Sequence, residues 1–448
     1  MLSVSQAENQ VADLVARARK AGADAADALY IGGASTQVQM RLGALEDVER
    51  SEGEEIGLRV FVGQRSASAS TSDLSPQAFD LLVERVVAMA REAPEDPYAA
   101  LAPEERLTLG DLPVIDIDDG AEVDPAALRA RALECEDAAR SVAGVTNSEG
   151  AGASASRTAI ALGTSTGFAR GYAGTGHGVS ASVLAGNGSG MQRDYAYHSA
   201  RHLSDLDGAA AIGRQAGERA IAKLDPIRPA SGPMPVVFDP RAGSSLLGHL
   251  IGAITGAAIA RKTSFLLDSL GHEVFGADIT IIDDPHRIRG LRSRTFDGEG
   301  LATHKTTIID KGVLTGWLMA TAAARQLGLE PTGHASRGIG GAPGAGSSNL
   351  HMLPGSATPV ELMADIKKGI YVTELIGMGV NGVTGDYSRG AAGFLIENGE
   401  LTRPVAELTV AGNLKDMYRA LVPANDLEFR YSSNVPTLRV DGMTVAGG

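Results

Sequence analysis

The stretch SLLGHLIGAITGAAIARK, residues 245–262, is apolar and glycine-spotted, with one histidine, His249, and no carboxylate. Its composition predicts one long apolar helix over residues 243–260, hydrophobic around most of its circumference and therefore buried in a core. Gly248, Gly252 and Gly256 recur every four residues. That spacing gives a smooth face on which another backbone, in the core or in a partner, is expected to pack closely. A zinc site carried on a helix needs two histidines about one turn apart and a glutamate beside the first to deprotonate water. His249 is followed by Leu250, Ile251, Gly252 and Ala253, so neither requirement is met. A lone histidine in this setting reads as a hydrogen-bonded structural residue.

Short strand-like runs surround this helix: PVVFD, DITIID, TTIIDKGVLTGWLM, GIYVTELIG, GFLIENGEL, PVAELTVAG and PTLRVDGMTV. Asn398-Gly399 and Asp441-Gly442 are the dipeptides that link hairpins. Residues 229–448 are thus expected to form a C-terminal domain of mixed, mostly antiparallel β-sheet with a long apolar helix. The proline-rich LDPIRPASGPMP, continuing neither helix nor sheet, places its boundary near residue 228.

Residues 1–228 read as an N-terminal α+β domain of two units, 1–95 and 120–228. The first opens on a helix over 5–21, with Ser5 and Glu8 spaced as a capping box and Val11, Leu14, Val15 and Ala18 on one face. Four runs follow, ADALYIG, TQVQMRL, EIGLRVFV and RSASAST, with a Gly63-Gln64 turn between the last two. Ser75-Pro76 then starts a helix to about Arg91, with Phe79, Leu82, Val83, Val86 and Val87 as its buried stripe. EAPEDPYAALAPEERL is a linker by composition. Asp124-Pro125 starts a helix to about Val142, followed by SRTAIALGTS, GFARGYAG, GVSASVLAG and RDYAYHSAR and a helix over 204–223. The order of elements, without residue-level self-similarity, predicts a duplicated helix/antiparallel-strand/helix unit.

The net charge of -14 argues against nucleic-acid binding, which needs a basic face to displace counterions. The single cysteine, Cys135, allows no internal disulfide or CxxC site and reads as a buried helix residue. The amphipathic N-terminus and the lack of any run near ~20 apolar residues predict a cytoplasmic protein without a membrane span. Asp297, Glu299 and His304 lie close enough in sequence to share a hard cation, although Gly298 and Gly300 favour a charged turn. The loop SRGIGGAPGAGSSNLHMLPG lacks the Gly-Lys-Ser/Thr ending of a phosphate-binding loop. Such a glycine-rich loop can instead lie along an extended peptide. Neither a GxSxG elbow nor a cysteine near a histidine offers a covalent nucleophile.

SLLGHLIGAITGAAIARKTSFLLDSLGHEVF, TFDGEGLATHKTTIIDKGVLTGWL, GVNGVTGDYSRGAAGFLIENGEL, PVAELTVAGNL and PTLRVDGMTVAG, in this order, resemble the TldD/PmbA family. The N-terminal half resembles it more loosely, through its opening helix and EIGLRVFVGQRSASAST. In that family TldD is the zinc peptidase subunit, with a His-Glu-x-x-x-His helix and a C-terminal cysteine, and its partner PmbA, also called TldE, lacks these groups. With the flanking Leu-Leu and Arg-Lys in register, the motif falls on Gly248 to Ala253. Gly248 stands for the first ligand, His249 for the glutamate and Ala253 for the second ligand, and no cysteine follows Cys135.

The resemblance implies a non-catalytic subunit of a heterodimeric TldD/TldE zinc metallopeptidase acting on unfolded peptides, in peptide maturation or antitoxin degradation. Zinc is then expected in the TldD-like partner and no cofactor in this chain, with a homodimer of the chain alone left open. The peptide path is expected along Gly338, Gly340, Gly341, Ser347, Ser348 and Asn349. The alternative is a regulatory, protein-binding role of the gyrase-modulator type without a peptidase.

Overall fold

A computed structural model of the chain describes residues 1–122 and 124–447. Helix α1 (Val4–Lys20) buries Ala7, Val11, Leu14, Val15 and Ala18. Its capping box lies one half-turn earlier than expected: Ser3 Oγ accepts from the Gln6 amide at 3.3 Å and Gln6 Oε1 from the Ser3 amide at 2.9 Å. Glu8 is drawn instead to the Gly171 amide, 2.8 Å away on a neighbouring strand.

The first unit continues with β1 (Ala25–Arg41), β2 (Ala44–Val62), β3 (Arg65–Thr71) and α2 (Pro76–Glu92). The second comprises α3 (Pro125–Arg140), β4 (Val145–Thr164), β5 (Ala169–Ala185), β6 (Gln192–Ala200) and α4 (Ala209–Ala222). Both units run helix, three strands, helix. Their strands merge into one antiparallel sheet of order β3-β2-β1-β4-β5-β6, a mirror sequence joined by β1 and β4 from Asp27↔Thr164 to Met40↔Ala151. α1 and α2 cover one half of one face over Tyr30, Ile56, Leu58 and Val60. Cys135 of α3 and Ile212 of α4 pack on Val179, Ala181 and Val183 in the other half.

ADALYIG and TQVQMRL are one strand, as are GFARGYAG and GVSASVLAG. The glycines read as interruptions are laddered on both sides: Gly32 and Gly33 pair with Glu54 and Gly53 on β2 and with Ala159 and Thr158 on β4. A strand held from both edges tolerates glycine, whose cost is only a fraction of the ladder's contribution.

The C-terminal part begins with β7 (Gly232–Phe238), α5 (Pro240–Ala253) and α6 (Gly256–Ala260). The short elements β8 (Ile281–Asp283), β9 (Thr306–Asp310), β10 (Val313–Leu314), α7 (Thr321–Leu327), β11 (Ala335–Ser336), β12 (Gly344–Ala345) and β13 (Leu350–Met352) follow. Then come α8 (Pro359–Met363), β14 (Lys368–Ile376), β15 (Asp386–Glu397), β16 (Glu400–Asn413), α9 (Leu414–Ala420), β17 (Leu421–Pro423), β18 (Ser433–Asn434) and β19 (Leu438–Ala446). One sheet has the order β16-β15-β14-β7-β19-β17, and a further pairing of β16 with β19 closes five of these strands into a ring. Only β7 and β14 run parallel within it. A second sheet has the order β10-β9-β8-β13-β18, and α5, α9 and both sheets share one core.

The single long helix over 243–260 does not form. Asp239 caps α5 through the Arg241 amide at 2.9 Å, so the helix starts at Pro240. It stops at Ala253 because Ile254 and Gly256 turn to bond Leu318: Leu318 donates to Ile254 O at 2.9 Å and Gly256 donates to Leu318 O at 2.7 Å. Thr255 then caps α6. Asn398-Gly399, with φ of 53° and 87°, joins β15 to β16 as its dipeptide suggests. Asp441-Gly442 instead lies inside β19, where the register shifts between Val440 and Met443: it is a bulge, not a hairpin end. Among the described residues no helix is long and apolar enough to cross a membrane.

Candidate functional site

Helix α5 comes first. A Cβ on Gly248 or Gly252 would meet nothing within 4 Å, whereas one on Gly256 would collide with Met319 Sδ at 2.3 Å. The expected close packing of the glycine stripe therefore holds within this chain only for Gly256. His249 Nε2 is buried with no hydrogen-bond partner, which corrects the hydrogen-bonded reading. Its ring meets Tyr387 edge-on at 6.1 Å, and the Tyr387 hydroxyl is likewise unpartnered. Burial, then the nearby Arg389, lower the His249 pKa. Ala253 is buried and Cys135 lies in α3, away in the N-terminal sheet. Gly248, Ala253 and one imidazole beside a guanidinium do not fit a zinc ion, which wants three or four anionic or imidazole donors.

Gly252 permits a direct check. Gly252→Leu is expected to stabilise the isolated chain by up to about 1 kcal/mol, because leucine is the better helix former and the space is open. A thermal midpoint that falls instead would show that the face is packed.

Asp297, Glu299 and His304 do not converge. Asp297 Oδ1 accepts from the Glu299 and Leu301 amides, each at 2.9 Å, and Oδ2 from the Ala335 amide at 3.0 Å. Glu299 Oε2 accepts from the Thr321 amide and hydroxyl at 2.9 and 2.8 Å. His304 is exposed, and among the described residues no three His, Cys, Asp or Glu side chains are grouped to hold a metal. The segment is the charged turn its glycines favour, with Gly300 at φ +85° against the Phe168 ring. Burial, then the neighbouring Asp297, push Glu299 up to about 7. A raised carboxyl pKa favours the fold most below the unfolded value near 4.5, and that contribution is lost as pH rises to about 7. Glu299→Gln should therefore remove a pH dependence on the order of 1–3 kcal/mol between those limits. Parallel stability curves for parent and variant from pH 4.5 to 7.5 would contradict this.

A cleft lies where the open face of the N-terminal sheet meets the C-terminal part. Phe296 packs edge-on against Phe168 at 5.1 Å and Tyr172 at 5.4 Å, fixing the junction. Two adjoining cavities of about 400 and 190 Å³ share Ile160, Tyr172, Arg294 and Ser336. The smaller lobe is mostly apolar, with Leu29, Ile31, Leu162 and Phe296, and the larger adds Arg201, Arg292, Ser293 and Ser347.

Of the six loop residues expected along a peptide path, only Ser347 lines this cleft. Gly338, Gly340 and Gly341 are exposed, and the loop tip rests on the sheet edge, where Ser68 Oγ donates to Gly340 O at 3.0 Å. Ser348 and Asn349 are buried behind it: Ser348 donates from its amide and hydroxyl to Asp283 Oδ1 at 2.7 and 2.9 Å, and Asn349 Nδ2 to Ser293 Oγ at 2.9 Å. The arginines escaped the sequence reading, although Arg292 and Arg294, two apart among serines, were a signal available there.

Two other hollows carry less. A trough of about 810 Å³ between α1 and α2 is walled by exposed ion pairs, Arg17 with Asp13 and Asp80. A cavity of about 260 Å³ under Tyr197 and Tyr431 has its charges balanced, Arg241 against Asp194 and Asp239.

Residues 26–90 match the PmbA/TldA metallopeptidase domain 1, 118–224 the central domain and 231–447 the C-terminal domain of the same family. This chain belongs to the PmbA/TldD metallopeptidase family. Its full-length likeness runs to the PmbA side: it is 39% identical to Metalloprotease PmbA of Escherichia coli over 412 residues, 92% of this chain and 89% of that one. A crystal structure from Bacteroides thetaiotaomicron, described as a candidate modulator of DNA gyrase, superposes with a TM-score of 0.92 at 30% identity over the whole of both chains. TldE of Thermococcus kodakarensis shares the fold, with a TM-score of 0.87 at 20% identity over 97% of this chain and 99% of that one.

Proposed function

We propose that this chain is a cytoplasmic, catalytically silent subunit that pairs with a TldD-like zinc peptidase and guides unfolded peptides toward the partner's metal. The carrying observation is α5: it sits where the family resemblance puts a metal-binding helix, yet offers Gly248, His249 and Ala253. A hydrolytic zinc needs ligands and a base that these side chains cannot supply. The open face at Gly248 and Gly252 supports contact with another chain there.

The test is assembly with a TldD-like chain. Light scattering of the mixture should give a single heterodimer, and Gly252→Leu should fold yet pair less well. Two unassociated species would reject the pairing. The description of the Bacteroides thetaiotaomicron neighbour favours a second reading, regulation by protein binding without a peptidase. Recovery of this chain from cells on a partner unrelated to TldD would favour it.

A further inference from the structure

Several arginines of this acidic chain stand against carboxylates. Arg59 meets Asp27, Arg241 meets Asp194, Arg289 meets Asp116 and Asp205, Arg430 meets Asp207, and Arg439 meets Asp365, all within 4 Å. The larger lobe of the cleft gathers three arginines that have no such partner. Arg201, Arg292 and Arg294 all line it, no carboxylate lines it, and among the described residues none of the three has a carboxylate within 4 Å.

Two of these guanidiniums are held in place by backbone. Arg201 donates to Thr175 O at 3.1 Å and to Leu291 O, and Arg294 donates to Ala335 O at 2.9 Å and to Gly346 O at 3.5 Å. In each, Nε is buried and unpartnered. Arg294 does lie near Asp283 and Asp297, but burial pushes both carboxyls up, and Asp297 spends its oxygens on three backbone amides. Partly buried cations without a counter-charge are costly unless an anion arrives from outside. Around them stand the hydroxyls of Thr158, Tyr172, Ser293, Ser336 and Ser347, and the adjoining lobe pairs an apolar wall of Leu29, Ile31, Leu162 and Phe296 with Asp297 and Arg337. An ionised group beside an apolar slot is the profile of a peptide end or an acidic side chain next to an apolar residue.

We propose that Arg201, Arg292 and Arg294 form a carboxylate-binding subsite, which seats an extended peptide by one carboxylate with the neighbouring apolar side chain in the lobe formed by Leu29, Ile31, Leu162 and Phe296. This deepens the peptide-guiding reading by naming the chemistry selected, and it rests on that reading. The carboxylate has two sources, the chain end or an internal Asp or Glu, which the experiment separates.

The experiment is fluorescence anisotropy on the full chain, alone and with its TldD-like partner, using an extended apolar-polar peptide without acidic residues. Three forms are compared: free C-terminus, amidated C-terminus, and amidated with one internal glutamate. The free acid should bind at least about tenfold more tightly than the amide, as a charge-assisted hydrogen bond warrants. Rescue by the glutamate would assign the subsite to acidic side chains as well, and no rescue would assign it to peptide ends. Arg292→Gln, at an exposed position without structural bonds, and Arg294→Lys, which keeps the charge but loses the fork, should each narrow the difference. Equal binding of acid and amide, or no effect of either variant, overturns the subsite. Either result leaves heterodimer assembly, measured separately by light scattering, untouched. A loss of assembly with the preference intact would instead reject the subunit reading alone.

Discussion

Replacing Asp27 with alanine should lower stability by about 3–5 kcal/mol, the cost of leaving buried charges without their partner. Asp27 is 2% exposed on β1 and faces two guanidiniums. Arg59 Nε donates to its Oδ2 at 3.1 Å, and Arg337 Nη1, from the C-terminal part, stands 2.7 Å from its Oδ1. The Arg337 contact is close but not aligned as a hydrogen bond, so its value is mainly Coulombic. Burial alone would raise the Asp27 carboxyl, yet Arg59 and Arg337 outweigh it and hold the pKa below the usual 3.8. The group's contribution is therefore present above that value and lost as pH falls beneath it. Alanine removes the carboxylate that faces both buried cations and unties the N-terminal sheet from the loop that follows Arg337. Urea unfolding at pH 7 measures the effect, and a loss under about 1 kcal/mol would mean that water reaches both guanidiniums.

Gly57→Val is the second large effect. A Cβ on Gly57 would lie 1.8 Å from the carbonyl oxygen of Ile339 and 2.8 Å from its carbon. The obstacle is backbone, which cannot swing aside as a side chain would, so the glycine-rich loop must lift from β2. Overpacking of this kind costs about 1–3 kcal/mol. Ser68, Arg337 and the packing of Ile339 beside Leu29 and Leu162 hold the loop, and strain at Gly57 shifts its equilibrium toward the detached state. Trypsin reports it, because the Arg337 side chain is 1% exposed while docked. Cleavage there should rise about tenfold or more, one decade for each ~1.4 kcal/mol in the opening equilibrium. An unchanged rate would show that the loop is held by other means.

Two helices of the N-terminal part were readable because their caps are local, whereas α4, expected from 204, starts at Ala209 without a side-chain cap. Ser75-Pro76 and Asp124-Pro125 start α2 and α3 where expected, with Ser75 accepting from the Ala78 amide and Asp124 from the Ala126 amide. The duplicated order was readable as a pattern of elements. Strand lengths were not, because Gly32-Gly33 is held by cross-strand pairing that no local signal carries. The break between α5 and α6 was hidden for the same reason: Leu318, far along the chain, takes the bonds that would have continued the helix. At the candidate site, residue identity alone shows that Gly248, His249 and Ala253 offer one imidazole and no carboxylate. The cleft does not follow from residue identity, since Arg201, Tyr172 and Arg294 come together only when the N-terminal sheet meets the C-terminal part.

As a silent subunit, this chain would hold no working metal site and serve one in another chain. Zinc content and peptide cleavage should be measured on the purified chain alone and again after mixing with a TldD-like partner. A silent subunit should show no stoichiometric zinc and no cleavage alone, with both present in the mixture. Zinc bound one-to-one by the isolated, folded chain, together with cleavage by it, would rule out a silent subunit.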